Sequence, residues 1–335
     1  MSQTRAPSMI DVANLSGVSH QTVSRVLNNH ENVSEKTRAK VVKAMNELGY
    51  TPNLTARALV TGKTATIGVL SHDTTLFGPA STLHAVQSAA REKGYKTSIY
   101  SLKSEDKESI IFGIRELMSD GVDGIVIIAP QIKGASQVSD VIGSFPAVLV
   151  ENESTASLPS VNVDQLFGAK EITKHLIDLG HTKIAHISGP KDWYETSRRL
   201  KGFKSAMTGS KLDTTFIWEG DWSAQSGYEC AKEIVKNRKI TAIVAGNDAM
   251  ALGALKAIGE AGLQVPRDIS LVGFDDLPES RFLTPSLTTA RQDFHAVGEQ
   301  ALSVLLGLIN DRSARMNVAI KPEILIREST AKVRS

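Results

Sequence analysis

The sequence predicts two unlike parts: an all-α head of helix-turn-helix type, and an α/β body of two lobes, each built on a doubly wound parallel sheet. Three observations carry this. The first fifty residues hold three short helical patterns separated by turn and cap residues. From Thr66 onward β and α patterns alternate, and the alternation runs through twice. The charge is unevenly divided as well. Residues 1–62 hold 7 basic against 4 acidic side chains, a balance of +3, which leaves −1 of the net +2 on the remainder. A basic module on a neutral body is the electrostatic footprint of nucleic-acid binding.

The bulk properties exclude several classes. At 335 residues the chain is too long for one ordinary core. No apolar run approaches the roughly 20 residues a membrane helix needs, and residues 1–7 are too polar for a secretory leader, so neither membrane nor export is expected. Cys230 stands alone, which rules out an intrachain disulfide and fits a reducing cytoplasm. Its expected role is a small apolar residue. No Ser-His-Asp pattern, metal-ligand cluster or phosphate loop is evident, so no enzyme, cofactor or metal is expected. His175 and His181 read as helix-end residues. A transport receptor is the other class weighed, and the basic head and missing leader oppose it.

The head (1–50) is read helix by helix. Ser8 caps a first helix through Leu15, whose apolar side is assigned to Ile10, Ala13 and Leu15. Gly17 supplies the positive φ of a sharp turn, and Ser19 caps the second helix. Val18, Val23, Val26 and Leu27 give that helix an apolar face, while His20, Gln21, Thr22, Ser24 and Arg25 form the other. Those side chains suit base edges and phosphates, with no carboxylate to repel DNA. Ser34 caps a third helix, which carries Val41, Val42, Ala44, Met45 and Leu48 and ends at Gly49. Residues 51–63 follow as a hinge. Pro52 biases Thr51 away from helix, and the stretch from Leu54 to Val60 allows about two helical turns, marginal alone in water.

In the body, Gly124 to Ala129 is a continuous apolar run, as in a strand buried on both faces. Ile67–Leu70, Lys96–Tyr100 and Ala147–Val150 complete one unit; Ile184–Ser188, Ala242–Ala245 and Ile269–Phe274 make the second. Helices are expected over 79–93 and 293–308. Such a pair forms the clamshell of a periplasmic-binding-protein-like body, with ligand at the carboxyl ends of the strands. The lobes are assigned to 64–161 with 292–320, and to 162–291 with 321–330. Arg199, Trp222, Asn247 and Asp275 stand at strand ends. A guanidinium, an amide and a carboxylate make paired hydrogen bonds to sugar hydroxyls, and an indole covers an apolar sugar face. Each of these has as good a claim to a capping or core role, and Asp248 and Asp276 are assigned to structure.

The run from Val18 to Asn28, followed by Val33-Ser34-Glu35-Lys36-Thr37-Arg38, resembles the DNA-binding head of the lactose repressor/galactose repressor (LacI/GalR) family of bacterial regulators. Gly220-Asp221-Trp222-Ser223-Ala224, Asn247 to Gly253, Phe274-Asp275-Asp276 and Gln292-Asp293-Phe294 extend the resemblance through the body. It implies operator contacts from Ser19, His20, Gln21, Thr22, Ser24, Arg25, Asn28, Ser34, Thr37, Asn53, Ala56 and Leu59, with Leu59 as a minor-groove wedge. It also implies an effector pocket lined by Leu76, Gly78, Pro79, Glu151, Arg199, Trp222, Asn247, Asp275, Gln292 and Phe294. Glu151 and Glu195 depart from the matched pattern, which has Asp and Ser there, and His72 replaces a Ser at the pocket edge. The resemblance further implies a repressor that reads a pseudo-palindromic double-stranded operator. A sugar, with a galactoside as first guess, would lower its affinity. A purine-type corepressor is the alternative. A homodimer is expected, since nothing heptad-like follows Arg327. Replacing Leu59 with Ala should reduce specific operator affinity and DNA bending while leaving the fold intact; gel-shift phasing of bent operators measures both.

Overall fold

The computed structural model describes residues 7–27, 30–51, 62–72, 75–102, 104, 106–128, 135–152, 158–310 and 317–334. The expectations at Asn28, Asn53, Ala56 and Leu59 lie outside these residues. Two compact units divide the chain after Thr64.

The first unit is a three-helix head of α1 (Met9–Ser16), α2 (His20–Leu27) and α3 (Glu35–Leu48). Local chemistry sets each boundary. Ser8 and Asp11 form a reciprocal capping box at the start of α1. Gly17 ends α1 in the left-handed region at φ 65°. The hydroxyls of Ser19 and Ser34 accept the backbone N–H of Thr22 and Thr37, at 3.1 and 3.3 Å. Val12, Ala13, Val23, Val26, Val41 and Ala44 form the core. The apolar side assigned to α1 was wrong in two residues. Ile10 and Leu15 are 58% and 50% exposed, and Met9, Val12 and Ala13 face inward instead. The cause is spacing: 9, 12 and 13 share a face at i, i+3 and i+4, whereas 10 and 15 fall on opposite edges. Arg38 fastens the end of α2, donating to the carbonyls of Val26 and His30.

The second unit runs β1 (Thr66–His72), α4 (Phe77–Glu92), β2 (Lys96–Leu102), α5 (Lys107–Ser119), β3 (Gly124–Ile128), α6 (Ala135–Ile142), β4 (Ala147–Val150) and β5 (Ser160–Val163). It continues α7 (Gln165–Asp178), β6 (Ile184–Ser188), α8 (Tyr194–Gly209), β7 (Ile217–Glu219), α9 (Ala224–Ile234), β8 (Ala242–Ala245), α10 (Asp248–Glu260) and β9 (Ser270–Asp275). It closes with β10 (Thr288–Arg291), α11 (Phe294–Ile309), β11 (Asn317–Ile320) and β12 (Glu323–Leu325).

Two six-stranded sheets result, in the orders β11-β5-β4-β3-β1-β2 and β12-β10-β9-β8-β6-β7. Every described pairing is parallel except β10 with β12. Successive residues of the central strands enter opposite cores. Val126 and Ile128 join one apolar cluster of the first lobe and Ile125 and Ile127 the other, which is why these strands are apolar throughout. Helix α4 starts two residues before the expected position, since Pro79 falls in the first turn, where its missing N–H costs nothing. Asp293 caps α11, so the helix proper begins at Phe294.

Small residues let the helices close on one another. A Cβ at Gly253 of α10 would stand 1.8 Å from the Ala224 carbonyl oxygen at the start of α9, and one at Gly298 of α11 would stand 2.5 Å from the Ala85 carbonyl carbon of α4. Gly253→Ala should therefore destabilise the body by about 1–3 kcal/mol through overpacking. Gly259→Ala, on the same helix in open space, should stabilise it by roughly 0.4–1 kcal/mol. Urea unfolding followed by circular dichroism distinguishes the two.

Candidate functional site

Two features of the described chain concentrate polar chemistry: the outward face of α2, and a cleft between the two lobes.

On α2, His20, Gln21 and Arg25 are exposed, Thr22 and Ser24 are half-buried, and Val23 and Val26 hold the helix to the core. Ser19 and Thr22 also share a hydroxyl hydrogen bond of 2.9 Å, as do Ser34 and Thr37 at the start of α3. These caps leave the first turn of α2 presenting donors and acceptors without an acidic side chain.

The cleft lies where strands of both sheets end. Leu76, Phe77, Gly78, Pro79 and Thr82 reach it from the segment after β1, Ile128 from β3, and Glu151 from the turn after β4. From the second lobe come Trp193, Glu195 and Arg199 after β6, Trp222 after β7, Asn247 after β8, Asp275 at the end of β9, then Gln292 and Phe294. About 530 Å³ of non-protein space lies within the cleft, part of it open to solvent. This is the carboxyl-end position at which open α/β sheets bind ligands. The structure brings the ten effector residues named from the sequence to one cleft, together with Glu195, noted there as a departure, and adds Phe77, Thr82, Ile128 and Trp193 to its lining.

A closed ring of buried hydrogen bonds underlies this cleft. Gln165, the first residue of α7, donates from Nε2 to Glu151 Oε2 (3.0 Å) and Gln292 Oε1 (2.8 Å). Its Oε1 accepts from Arg199 Nε at 2.8 Å. Arg199 also donates from Nη1 to the Gly246 carbonyl (2.5 Å) and from Nη2 to Asp275 Oδ1 (3.4 Å). Gln292 Nε2 closes the ring on the same Asp275 oxygen at 2.6 Å. Gln165 escaped the sequence reading because a Gln after an Asp cap is ordinary helix chemistry; nothing local marks its tertiary role. Trp193 has no local mark either, standing just before a helical first turn, whereas Glu195 was singled out as a departure from the matched pattern and lies in the cleft.

Aromatic rings make the remaining walls. Trp193 and Trp222 meet edge to face at 5.7 Å, as do Phe77 and Phe294 at 5.7 Å. The Arg199 guanidinium lies 3.9 Å from the Phe274 ring centre and 5.5 Å from that of Trp222. Three lining residues that are not glycine hold left-handed backbone: Glu151 at φ 51°, Trp222 at 73° and Asp275 at 111°. Such backbone is uncommon for side-chain-bearing residues and clusters at functional sites.

Asn247 serves two ends. Its Oδ1 caps α10 through the Met250 N–H at 2.8 Å, while Nδ2 donates to the Trp222 carbonyl at 3.1 Å. Asp248 is buried, accepting from Leu277 N–H, Ser280 and Thr289, and burial together with Asp275 pushes its carboxyl up to about 7. Asp276 pairs with Arg327 at 2.6 Å. His175 and His181 bond to Thr330, and to Thr241 and Ser270. Burial pushes the half-buried Cys230 thiol up, so it is a poor nucleophile. Among the described residues, no group of His, Cys, Asp or Glu could hold a metal ion, and no helix is long and apolar enough to cross a membrane.

A family model described as bacterial regulatory proteins, lacI family, matches residues 8–53, and one described as a periplasmic binding protein-like domain matches 173–330. The lactose operon repressor of Escherichia coli (strain K12) is 33% identical over 324 residues, 96% of this chain and 90% of that protein. The chain belongs to the LacI family. The HTH-type transcriptional repressor PurR of Haemophilus influenzae (strain ATCC 51907 / DSM 11121 / KW20 / Rd) is 34% identical over 335 residues, 96% of this chain and 98% of that protein. A Lac repressor dimer bound to operator and the anti-inducer ONPF has a TM-score of 0.87 at 33% identity, covering 98% of this chain and all of that one. The regulator CelR in complex with cellobiose has a TM-score of 0.71 at 28% identity, covering 96% and 99%. As a LacI-family member this chain is a DNA-binding transcriptional repressor rather than an enzyme, with a helix-turn-helix head and a two-lobed body.

The cleft carboxyls give a pH signature. Burial pushes Glu151 up to about 7 and Glu195 up to about 8, with the neighbouring carboxylates adding to both and Arg199 opposing. Native pKa values above the ordinary 4.5 mean that the folded chain binds more protons than the unfolded one between about pH 4.5 and 8. The stability these groups contribute is full below that range and is lost as pH rises through it. The thermal midpoint should fall from pH 6 to 9, and fall less steeply in Glu195→Gln, as differential scanning fluorimetry will register.

Proposed function

We propose that the chain represses transcription as a homodimer on a pseudo-palindromic operator in the bacterial cytoplasm, and that a small sugar bound between the lobes lowers its operator affinity. The observation that carries the effector reading is the cleft itself. A carboxylate, two amides and a guanidinium converge there beside two tryptophan rings. Bidentate donors and acceptors match vicinal hydroxyls, and an indole face covers the apolar face of a pyranose. The relative bound to cellobiose and the lactose operon repressor support a sugar as the first class to test. The exposed face of α2 supports the DNA reading, with His20, Gln21 and Arg25 reaching base edges and Ser34 and Thr37 helping to position the head. The two lobes deliver the switch by population shift. A ligand changes operator affinity only as far as it binds the released state better than the bound one.

A thermal-shift screen of hexoses, disaccharides and nucleobases on the full chain tests the effector class. A sugar should raise the midpoint and release a fluorescent operator in an anisotropy titration. Stabilisation by a nucleobase alone, with tighter operator binding, would instead assign a purine corepressor. Asp275→Asn should abolish operator release by the stabilising sugar while operator binding persists. Arg25→Ala should weaken operator binding by at least tenfold, and binding to random DNA far less. Equal losses on both would reduce Arg25 to a phosphate contact.

A further inference from the structure

Acidic side chains outnumber basic ones in the cleft. Glu151, Glu195 and Asp275 line it, and Arg199 is the single cation among the described lining residues. The guanidinium is already engaged by Gln165, the Gly246 carbonyl and Asp275. Both Glu151 oxygens have protein donors, the Val163 N–H at 2.7 Å and Gln165 Nε2 at 3.0 Å. Asp275 accepts from Gln292 and Arg199. Glu195 differs: it is only 8% exposed, it faces the cleft, and its buried Oε2 has no hydrogen-bond partner among the described residues.

A buried carboxyl holds its proton until a donor and a compensating charge reach it together, so Glu195 on its own is neutral at pH 6.5 and ionises only against a cation. A hydroxyl of a neutral sugar supplies the donor only. An ammonium supplies up to three donors together with the positive charge. The short reach of a Glu in the first turn of α8, beside Trp193, suits a group projecting from a ring that stacks on the indole.

We propose that the effector is an amino sugar bearing a protonated amine, with its ammonium held by Glu195 Oε2. This rests on the reading of the cleft as a sugar site. Glu195 then decides between charged and neutral sugars, and the Arg199–Asp275 pair binds the hydroxyls common to both.

The test is isothermal titration calorimetry on the full chain at pH 6.5. D-galactosamine and D-glucosamine are compared with galactose, glucose and the two N-acetyl derivatives, in which the amine carries no charge. At least one amino sugar should bind tenfold or more tighter than its neutral parent and its N-acetyl form. Glu195→Gln should cut that ratio below threefold, with Glu195→Ser as a second variant should the first fail to fold. Neutral parents binding as tightly as both amino sugars, or a preference that survives in both variants, would overturn the amine assignment while leaving the sugar reading intact. Binding of hypoxanthine with no heat from any sugar would overturn both.

Discussion

The buried hydrogen-bond ring around Gln165 and Arg199 ties Glu151, from the first lobe, to groups of the second. Its members come from places far apart in the chain: Glu151 after β4, Gln165 at the start of α7, Arg199 in α8, Asp275 at the end of β9 and Gln292 after β10. Gln165 and Gln292 each stand just past a strand, next to segments where the chain moves between sheets. Buried polar groups are tolerable only when nearly all are satisfied, and here each amide both donates and accepts. Removing one partner of such a set leaves the others desolvated, which typically costs about 3–5 kcal/mol when a charge is exposed to apolar surroundings. The ring therefore constrains the lobe arrangement and forms the floor of the cleft at once, so a ligand on that floor acts on the same groups that set the arrangement.

The surrounding architecture exists to hold that ring in place. Fully apolar strands such as β3 and β4 have helices on both faces, and their ends deliver Ile128 and Glu151 to the cleft. Close helix contacts at Gly253 and Gly298 fix the two outer layers. Left-handed backbone at Glu151, Trp222 and Asp275 turns three side chains inward where regular strand geometry would not. Strain of that sort persists only where packing over-determines it, and the cores beneath these strand ends provide the packing.

Much of this was legible in the sequence, for identifiable reasons. Caps and turns are local, so Ser8, Gly17, Ser19, Ser34 and Gly49 located the head helices within a residue. The twofold β/α alternation located both sheets, since buried parallel strands carry a continuous apolar signature. Strand ends brought Trp222, Asn247 and Asp275 into consideration, while Arg199 sits within helix α8. Ile10 and Leu15 are as apolar as Met9 and Val12, so residue type does not separate them; the i, i+3, i+4 spacing of 9, 12 and 13 does. What the sequence concealed depends on tertiary contact. Gln165 and Trp193 are unremarkable at helix starts and become significant only when two lobes meet over them. The antiparallel pairing of β12 likewise has no local signal, as three residues fit either direction.

A sugar bound in the cleft, on the reading proposed above, would act through the ring on both lobes. Hydrogen–deuterium exchange on the full chain, with and without the sugar giving the largest thermal shift, tests it most directly. Protection should rise together at 149–152, 163–166 and 289–294, the segments that contribute Glu151, Gln165 and Gln292. Protection confined to the segments around Trp222 and Asn247 in the second lobe, with those three unchanged, would contradict it.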